Sequence, residues 1–415
     1  MAACHHLQRA LPRMPALGLS ALFTALALPA GAQVFVSSDR TVAGGNPLNG
    51  TYYGQSVLVG ASGAANGIIT RVANITADVV DPALFSYSDQ TGGGLGAYSN
   101  SVVRIAGATF TQHSPTGFGG YANALDTAHV FVNGGNLRGL STAGAAPGAA
   151  GAQITVNGGV TQNGIGGVAY IVNGALTVNG GTLRAQGGNA AIAMGQSSVV
   201  NINGGLVESV AGSAVYLGSD SALTMSGGTV TGSAGGGPRW GVRVESVTNT
   251  ARLQGGTVNG GLRADAVNSV TNTQAALGGG VAVNGGVFAY GNAAIDVTGG
   301  SYTRFSGADA SFFAMGVNTV NFFGTDLALS APTAGTVFES NTFVGNFYTF
   351  TSGTFSDGQS AFGLRLFDAV SIAGNALPGG FTLNPSPVPE PSSALLLLLS
   401  LPALGAIMRR RWAST

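Results

Sequence analysis

Histidine, cysteine and lysine are nearly missing from this chain: four His, one Cys and no Lys among 415 residues. The Cys4-His5-His6 triplet has metal-ligand residue types, but it precedes an apolar leader and is expected to be removed with it. That leaves His113 and His129 as the histidines of the body, which then has no cysteine, disulfide or thiol nucleophile. The carboxylates are scattered. Glu208 and Asp220 fall near consecutive repeats but at different positions, and Asp78 and Asp81 precede Pro82 and read as a turn. No Gly-rich turn is followed by Lys-Ser or Lys-Thr, and no Gly-Gly unit carries the Asp of a calcium-binding nonapeptide. Asp357, in Ser356-Asp357-Gly358, reads as a turn former rather than a ligand. The expectation is therefore no catalytic residue, no cofactor and no metal. One loop could touch a sugar: Arg239-Trp240, with Arg243 close by, where a Trp beside Arg could stack on a ring. Packing of Trp240 against the body as a loop anchor is the favoured reading.

The elements that would position these residues are set by a repeat. The unit is apolar-x-apolar, then Asn, Ser or Gln, then Gly-Gly. It occurs as Val130 to Gly135, Ile154 to Gly159, Leu176 to Gly181, Val200 to Gly205 and Leu223 to Gly228. Later copies centre on Gln254-Gly255-Gly256 and Asn284-Gly285-Gly286. The first Gly steps by 24, 22, 24, 23, 28 and 30 residues, the signature of a solenoid. Apolar residues alternate at period 2 before each Gly-Gly, which puts them on one face of a strand. Gly-Gly permits the positive φ of a sharp bend. A second strand recurs at Ala191–Gly195 and Ala214–Gly218. The predicted fold is all-β, a right-handed parallel β-helix of roughly 23-residue coils. Asn133, Asn157, Asn179 and Asn203 are expected to stack as a ladder at one corner.

The ends depart from the repeat. Residues 33–100 read as an N-terminal cap with degenerate coils, and 101–336 as the regular coils. Residues 337–384 read as a β cap containing Phe338, Phe343, Phe347, Phe350, Phe355, Phe362 and Phe367. A cap is needed because an open edge strand invites aggregation. Residues 385–415 form a Pro-rich linker and a tail.

Residues 1–32 read as a secretory signal peptide: Arg9 and Arg13, an apolar run from Ala16 to Leu28, and a cleavage site at Ala30-Gly31-Ala32. The tail reads Val388-Pro389-Glu390-Pro391, then an apolar run from Ala394 to Met408 with five consecutive leucines, then Arg409-Arg410-Arg411. The run is shorter than the roughly 20 residues that span a bilayer comfortably, and such a span inserts with local thinning. The three arginines favour the cytoplasmic side. These three contiguous parts resemble the PEP-CTERM sorting tail of Gram-negative surface proteins. The resemblance covers about 28 residues. It implies export, a transient inner-membrane anchor, processing near Pro389-Glu390-Pro391 by an exosortase, and a final place at the cell surface or in the extracellular matrix. A GPI-type tail lacks the basic end seen here.

With both targeting segments removed, eleven Arg and fifteen acids remain, so the body is mildly acidic. There is no basic patch to neutralise phosphates, which disfavours nucleic acid as a partner. Glycine is 69 of 415 residues and only 8% are charged, a composition that suits a protein among extracellular polymers. The resulting expectation is a non-catalytic surface or matrix protein, associated with exopolysaccharide or adhesion, its self-association left open. The body is also similar, through generic repeats alone, to autotransporter passenger domains. The alternative is a polysaccharide lyase or hydrolase on the same fold. Its mark would be two or more carboxylates aligned across coils, whereas a bare Asn/Thr/Ser face would exclude it. A third reading is a tether that is never processed.

Overall fold

The computed structural model describes residues 102–112, 121–144, 151–163, 166–233, 240–246, 248–266, 274–304, 309–316, 318–338, 342–372, 375–376 and 380–385. Before residue 102 it describes the strands 41–42, 50–53, 57–60, 64–66, 70–73, 76–80, 83–87 and 95–98. The signal peptide, with Ala30 and Ala32, and the tail, with Val388, Pro389, Glu390, Pro391 and Arg409 to Arg411, lie outside the described residues.

Each regular coil contributes three short strands, one to each of three faces. In one coil these are Gly174–Val178, Thr182–Ala185 and Ile192–Met194. In the next they are Val199–Ile202, Leu206–Ser209 and Val215–Leu217. Equivalent strands pair in parallel: Leu176 opposite Val200, Leu183 opposite Val207, Ile192 opposite Val215. The second face is a ribbon of eleven strands, and the other two join through the C-terminal strands into one continuous sheet. From His129 to Val297 the chain makes about seven such turns, an all-β parallel solenoid. The described residues contain no helix.

Alternation builds the core. Leu176, Val178, Val200, Ile202, Leu223 and Met225 point inward from the first face and are buried, while Thr177, Asn201 and Thr224 between them point out. Leu183, Val207 and Val230 do the same from the second face, and Ile171, Met194, Leu217 and Val244 from the third. Where the third face turns back to the first, four successive coils put a buried polar residue at the corner: Ser198, Ser221, Asn249 and Gln274. Ser198 Oγ donates to the Ile171 carbonyl (2.6 Å) and Ser221 Oγ to that of Gly195 (2.7 Å), meeting the requirement that buried polar groups find partners.

The first-to-second-face corner is where Gly-Gly sits. A Cβ on the first glycine would lie 2.3 to 2.7 Å from a backbone oxygen of the preceding coil in all six units from Gly134 to Gly255. The second glycine has φ between 76° and 95° in Gly135, Gly159, Gly181, Gly205, Gly228 and Gly256. Close approach and left-handed backbone thus each demand glycine. The asparagine ladder forms as expected. Asn157 Nδ2 donates to Asn133 Oδ1 (2.8 Å), Asn179 to Asn157 and Asn203 to Asn179 (2.9 Å each), and Ser226 Oγ continues it to Asn203 (2.9 Å).

The seventh Gly-Gly is out of phase. Asn284-Gly285-Gly286 follows the second-face strand Ala282–Asn284, so it occupies the next corner. There Asn284 Nδ2 donates to Asn259 Oδ1 (2.9 Å) and Asn259 Nδ2 to Thr231 Oγ1 (3.1 Å), a second ladder. The corner in phase with the other six is Gly278-Gly279-Gly280, where a Cβ on Gly279 would meet the Gln254 carbonyl oxygen at 2.3 Å.

The N-terminal strands from Thr41 onward already pair in parallel along the same three ladders, as degenerate coils would. Asp78 is accordingly a strand residue, opposite Leu58 and Arg104, and not part of a turn. The C-terminal cap begins earlier than expected, within Thr319–Leu329, whose later residues leave the parallel stack to pair antiparallel with Thr342–Phe355. That long strand also pairs antiparallel with Thr333–Phe338 and Arg365–Ile372. Phe350 and Phe355 pack beneath the solenoid core against Phe322. Phe343, Phe347 and Phe367 belong instead to a second cluster. Phe362 is 72% exposed and closes nothing. Asp357 does form its turn, and it also docks on the last corner, where Asp357 Oδ2 accepts from the Gly300 amide (2.9 Å).

Candidate functional site

The outer side of the third face carries the chemistry-bearing residues. Register alone places one column there: Tyr170 beside Ala193, then Tyr216, Arg243, Arg263, Phe288, Phe313 and Phe367. Two residues along each strand, a second column places Glu245 opposite Asp265, then Tyr290 and Met315. Neighbours in these columns are one coil apart, roughly 4.8 Å.

The two columns are knitted together by charge. Arg263 Nε donates to both oxygens of Asp265 (2.8 and 2.7 Å). Arg243 pairs with Glu245 and lies 3.7 Å from Asp265 Oδ2. Tyr216 Oη donates to Glu245 Oε2 (2.5 Å). The Arg263 guanidinium also sits 4.1 Å from the centre of the Tyr290 ring and 5.8 Å from that of Trp240. Burial pushes the Asp265 carboxyl up from its ordinary value, and the two arginines pull against that. Two cations facing two carboxylates leave this patch without net charge.

Sequence reasoning did not single out Glu245 or Asp265. They align because the coil from Val242 to Leu262 is only 20 residues, shorter than the repeat it was measured by. Glu208 and Asp220 are not brought together. Glu208 lies on the second face, paired with Arg184 at 2.7 Å, while Asp220 sits at a positive-φ turn with its amide on Thr248.

Trp240 is 1% exposed. Its ring meets Phe288 edge-on at 4.5 Å, in a cluster with Phe313, Phe343, Phe347 and Phe367 that lies outside the solenoid core. That is the loop-anchor arrangement, and a sugar cannot stack on a ring so covered. Arg239 and His113 lie outside the described residues. His129 Nε2 is hydrogen-bonded with Thr155 Oγ1 (2.9 Å), its ring is stacked on Phe131, and burial lowers its pKa. Among the described residues no three His, Cys, Asp or Glu side chains gather where they could hold a metal ion. No described helix is long and apolar enough to cross a membrane.

Compared with models of known families, with curated proteins and with solved structures, the chain matches none.

Proposed function

We propose that this is an exported, non-catalytic protein of the cell surface or extracellular matrix, sorted through its C-terminal tail and associated with extracellular polysaccharide. The observation that carries this reading is the order Val388-Pro389-Glu390-Pro391, apolar run, Arg409-Arg410-Arg411, which resembles a PEP-CTERM tail. The tail would form a single hydrophobic helix during transit and meet an exosortase at the inner membrane of a Gram-negative cell. The leader ending at Ala30-Gly31-Ala32 supports the same route. The parallel solenoid is compatible with it: its asparagine ladder lies on the outside, and the parallel crossovers are of the right-handed kind.

The test is the C-terminal peptide of the protein recovered from its host and read by mass spectrometry. A terminus near Pro389 to Pro391 in the extracellular fraction supports the proposal. An intact chain through Thr415 in the inner membrane overturns it in favour of a fixed tether.

The alignment of Glu245 with Asp265 favours a second reading, an enzyme acting on polysaccharide, because two carboxylates on adjacent coils are what such chemistry uses. Against it, each carboxylate is already engaged by an arginine. Incubation with a panel of polysaccharides separates the two. New chain ends that disappear in Glu245→Gln and Asp265→Asn would establish the enzyme; undiminished chain length leaves the binding role.

A further inference from the structure

The third face also carries an open stretch above the charged patch. Tyr170 is 46% exposed, one of the few large apolar-bodied side chains left uncovered among the described residues. Its register neighbour in the next coil is Ala193, and the one after that is Tyr216. Beside them run Gly195 and Gly218, whose amides donate to the Ile171 and Met194 carbonyls of the preceding coils (2.7 and 2.8 Å). The Tyr170 hydroxyl lies 3.9 Å from where a Cβ on Gly195 would stand. The ring therefore runs along the face toward the next coil, over small residues. Below this floor, Tyr216 is held by Glu245, and Arg243 lies 6.0 Å from the Tyr216 ring centre.

We propose that this stretch is a binding track for a neutral, β-linked polysaccharide lying parallel to the solenoid axis. The proposal rests on the polysaccharide association argued above and gives it a site and a ligand class. Tyr170 and Tyr216 stand two coils apart, roughly 9.6 Å. In an extended β-linked chain successive rings alternate in orientation, so every second ring presents the same apolar face, and two coils match that advance. Tyr170, half-exposed, is a suitable partner for such a face, since its ring is apolar and its hydroxyl stays wet, and Tyr216, partly exposed and fixed by Glu245, offers a second ring. Glu245 and Arg243, each partly exposed at the lower end, supply an acceptor and a donor for ring hydroxyls. The patch beneath has two cations and two carboxylates, which selects an uncharged chain over a polyanion.

The experiment is affinity electrophoresis of the full chain in detergent through gels containing hydroxyethylcellulose or alginate. Retardation is expected with the neutral polymer. Tyr170→Ala and Tyr216→Ala should weaken it about tenfold or more, the scale of losing an aromatic anchor. Tyr170→Phe should keep it, and Phe362→Ala, exposed elsewhere, should leave it unchanged. Tyr170 is surface-exposed, so its alanine variant tests binding without testing folding; equal thermal unfolding of the two proteins checks this. No retardation by the neutral polymer, retardation that Tyr170→Ala leaves intact, or salt-sensitive retardation by alginate alone would each overturn the track. A processed C-terminus found outside the cell alongside any of these would leave the matrix role standing with its contact elsewhere.

Discussion

Two columns of this solenoid run side by side over overlapping coils and behave oppositely. At the first corner the residue barely changes from coil to coil: Asn133, Asn157, Asn179, Asn203, then Ser226, each followed by Gly-Gly. On the outer third face it changes at nearly every step, from Tyr170 through Ala193 and Tyr216 to Arg243, Arg263 and Phe288. The uniform column is bound by geometry. From Asn157 on, each asparagine donates to the one in the preceding coil, and each first glycine fills a space no side chain could enter. The varied column faces solvent for part of its length and a second apolar cluster for the rest, so nothing in the coil itself dictates its residues. In a stacked repeat, constancy marks what holds the coils together and variation marks where a particular coil does something of its own.

The strongest way to break the uniform column is at its glycines. Gly205→Val puts a β-branched residue at φ 76°, with its Cβ 2.8 Å from Gly180 backbone. The expected loss is about 4 kcal/mol or more, read by urea unfolding, from left-handed strain and overpacking together. Beside the varied column, Trp240→Ala should cost about 3 kcal/mol because it empties a buried aromatic site against Phe288. An unchanged unfolding midpoint would mean the ring is not an anchor. Asn179→Ala removes both its ladder bonds, to Asn157 and from Asn203. The ladder is exposed and water can replace part of it, so the expected cost is about 1 kcal/mol.

The smallest effect separates the coils from the cap by pH. Asp368, which continues the inward column below Ala314, has a buried Oδ1 with no hydrogen-bond partner among the described residues, and burial raises its pKa. The folded state thus holds this proton more tightly than the unfolded chain does. Stability from this group is present below the ordinary carboxylate pKa and is lost as pH rises through the raised folded value. Asp368→Asn should therefore raise the unfolding temperature at neutral pH and make no difference in acid. A gain that persisted in acid would place its cause outside the charge.

Much of the scaffold was legible. Period-2 alternation and Asn-Gly-Gly spacing marked the strands, the six in-phase corners and the ladder, because those constraints act within one coil or between immediate neighbours. The misreading of Asn284-Gly285-Gly286 shows the limit. Both corners use the same Asn and Gly chemistry, so the motif cannot say which corner it occupies; only the strand before it, Ala282–Asn284, decides. The cap aromatics were read as a group, yet Phe350 closes the core, Phe367 packs outside it and Phe362 faces solvent. A residue count cannot separate these fates when strands reverse direction.

By itself the sequence determined the coil, since alternation, glycine placement and asparagine repetition are local demands with a single parallel solution. The sorting reading of the tail also rests wholly on residue order. Only the tertiary structure decided which side chains meet across coils of unequal length. Glu245 came to lie opposite Asp265 through a 20-residue coil. Trp240 became buried because Phe288, from a strand two coils further on, arrived beneath its ring. Those contacts join residues tens of positions apart, where a shift of one residue in any intervening loop would turn each of them to the other side of the sheet.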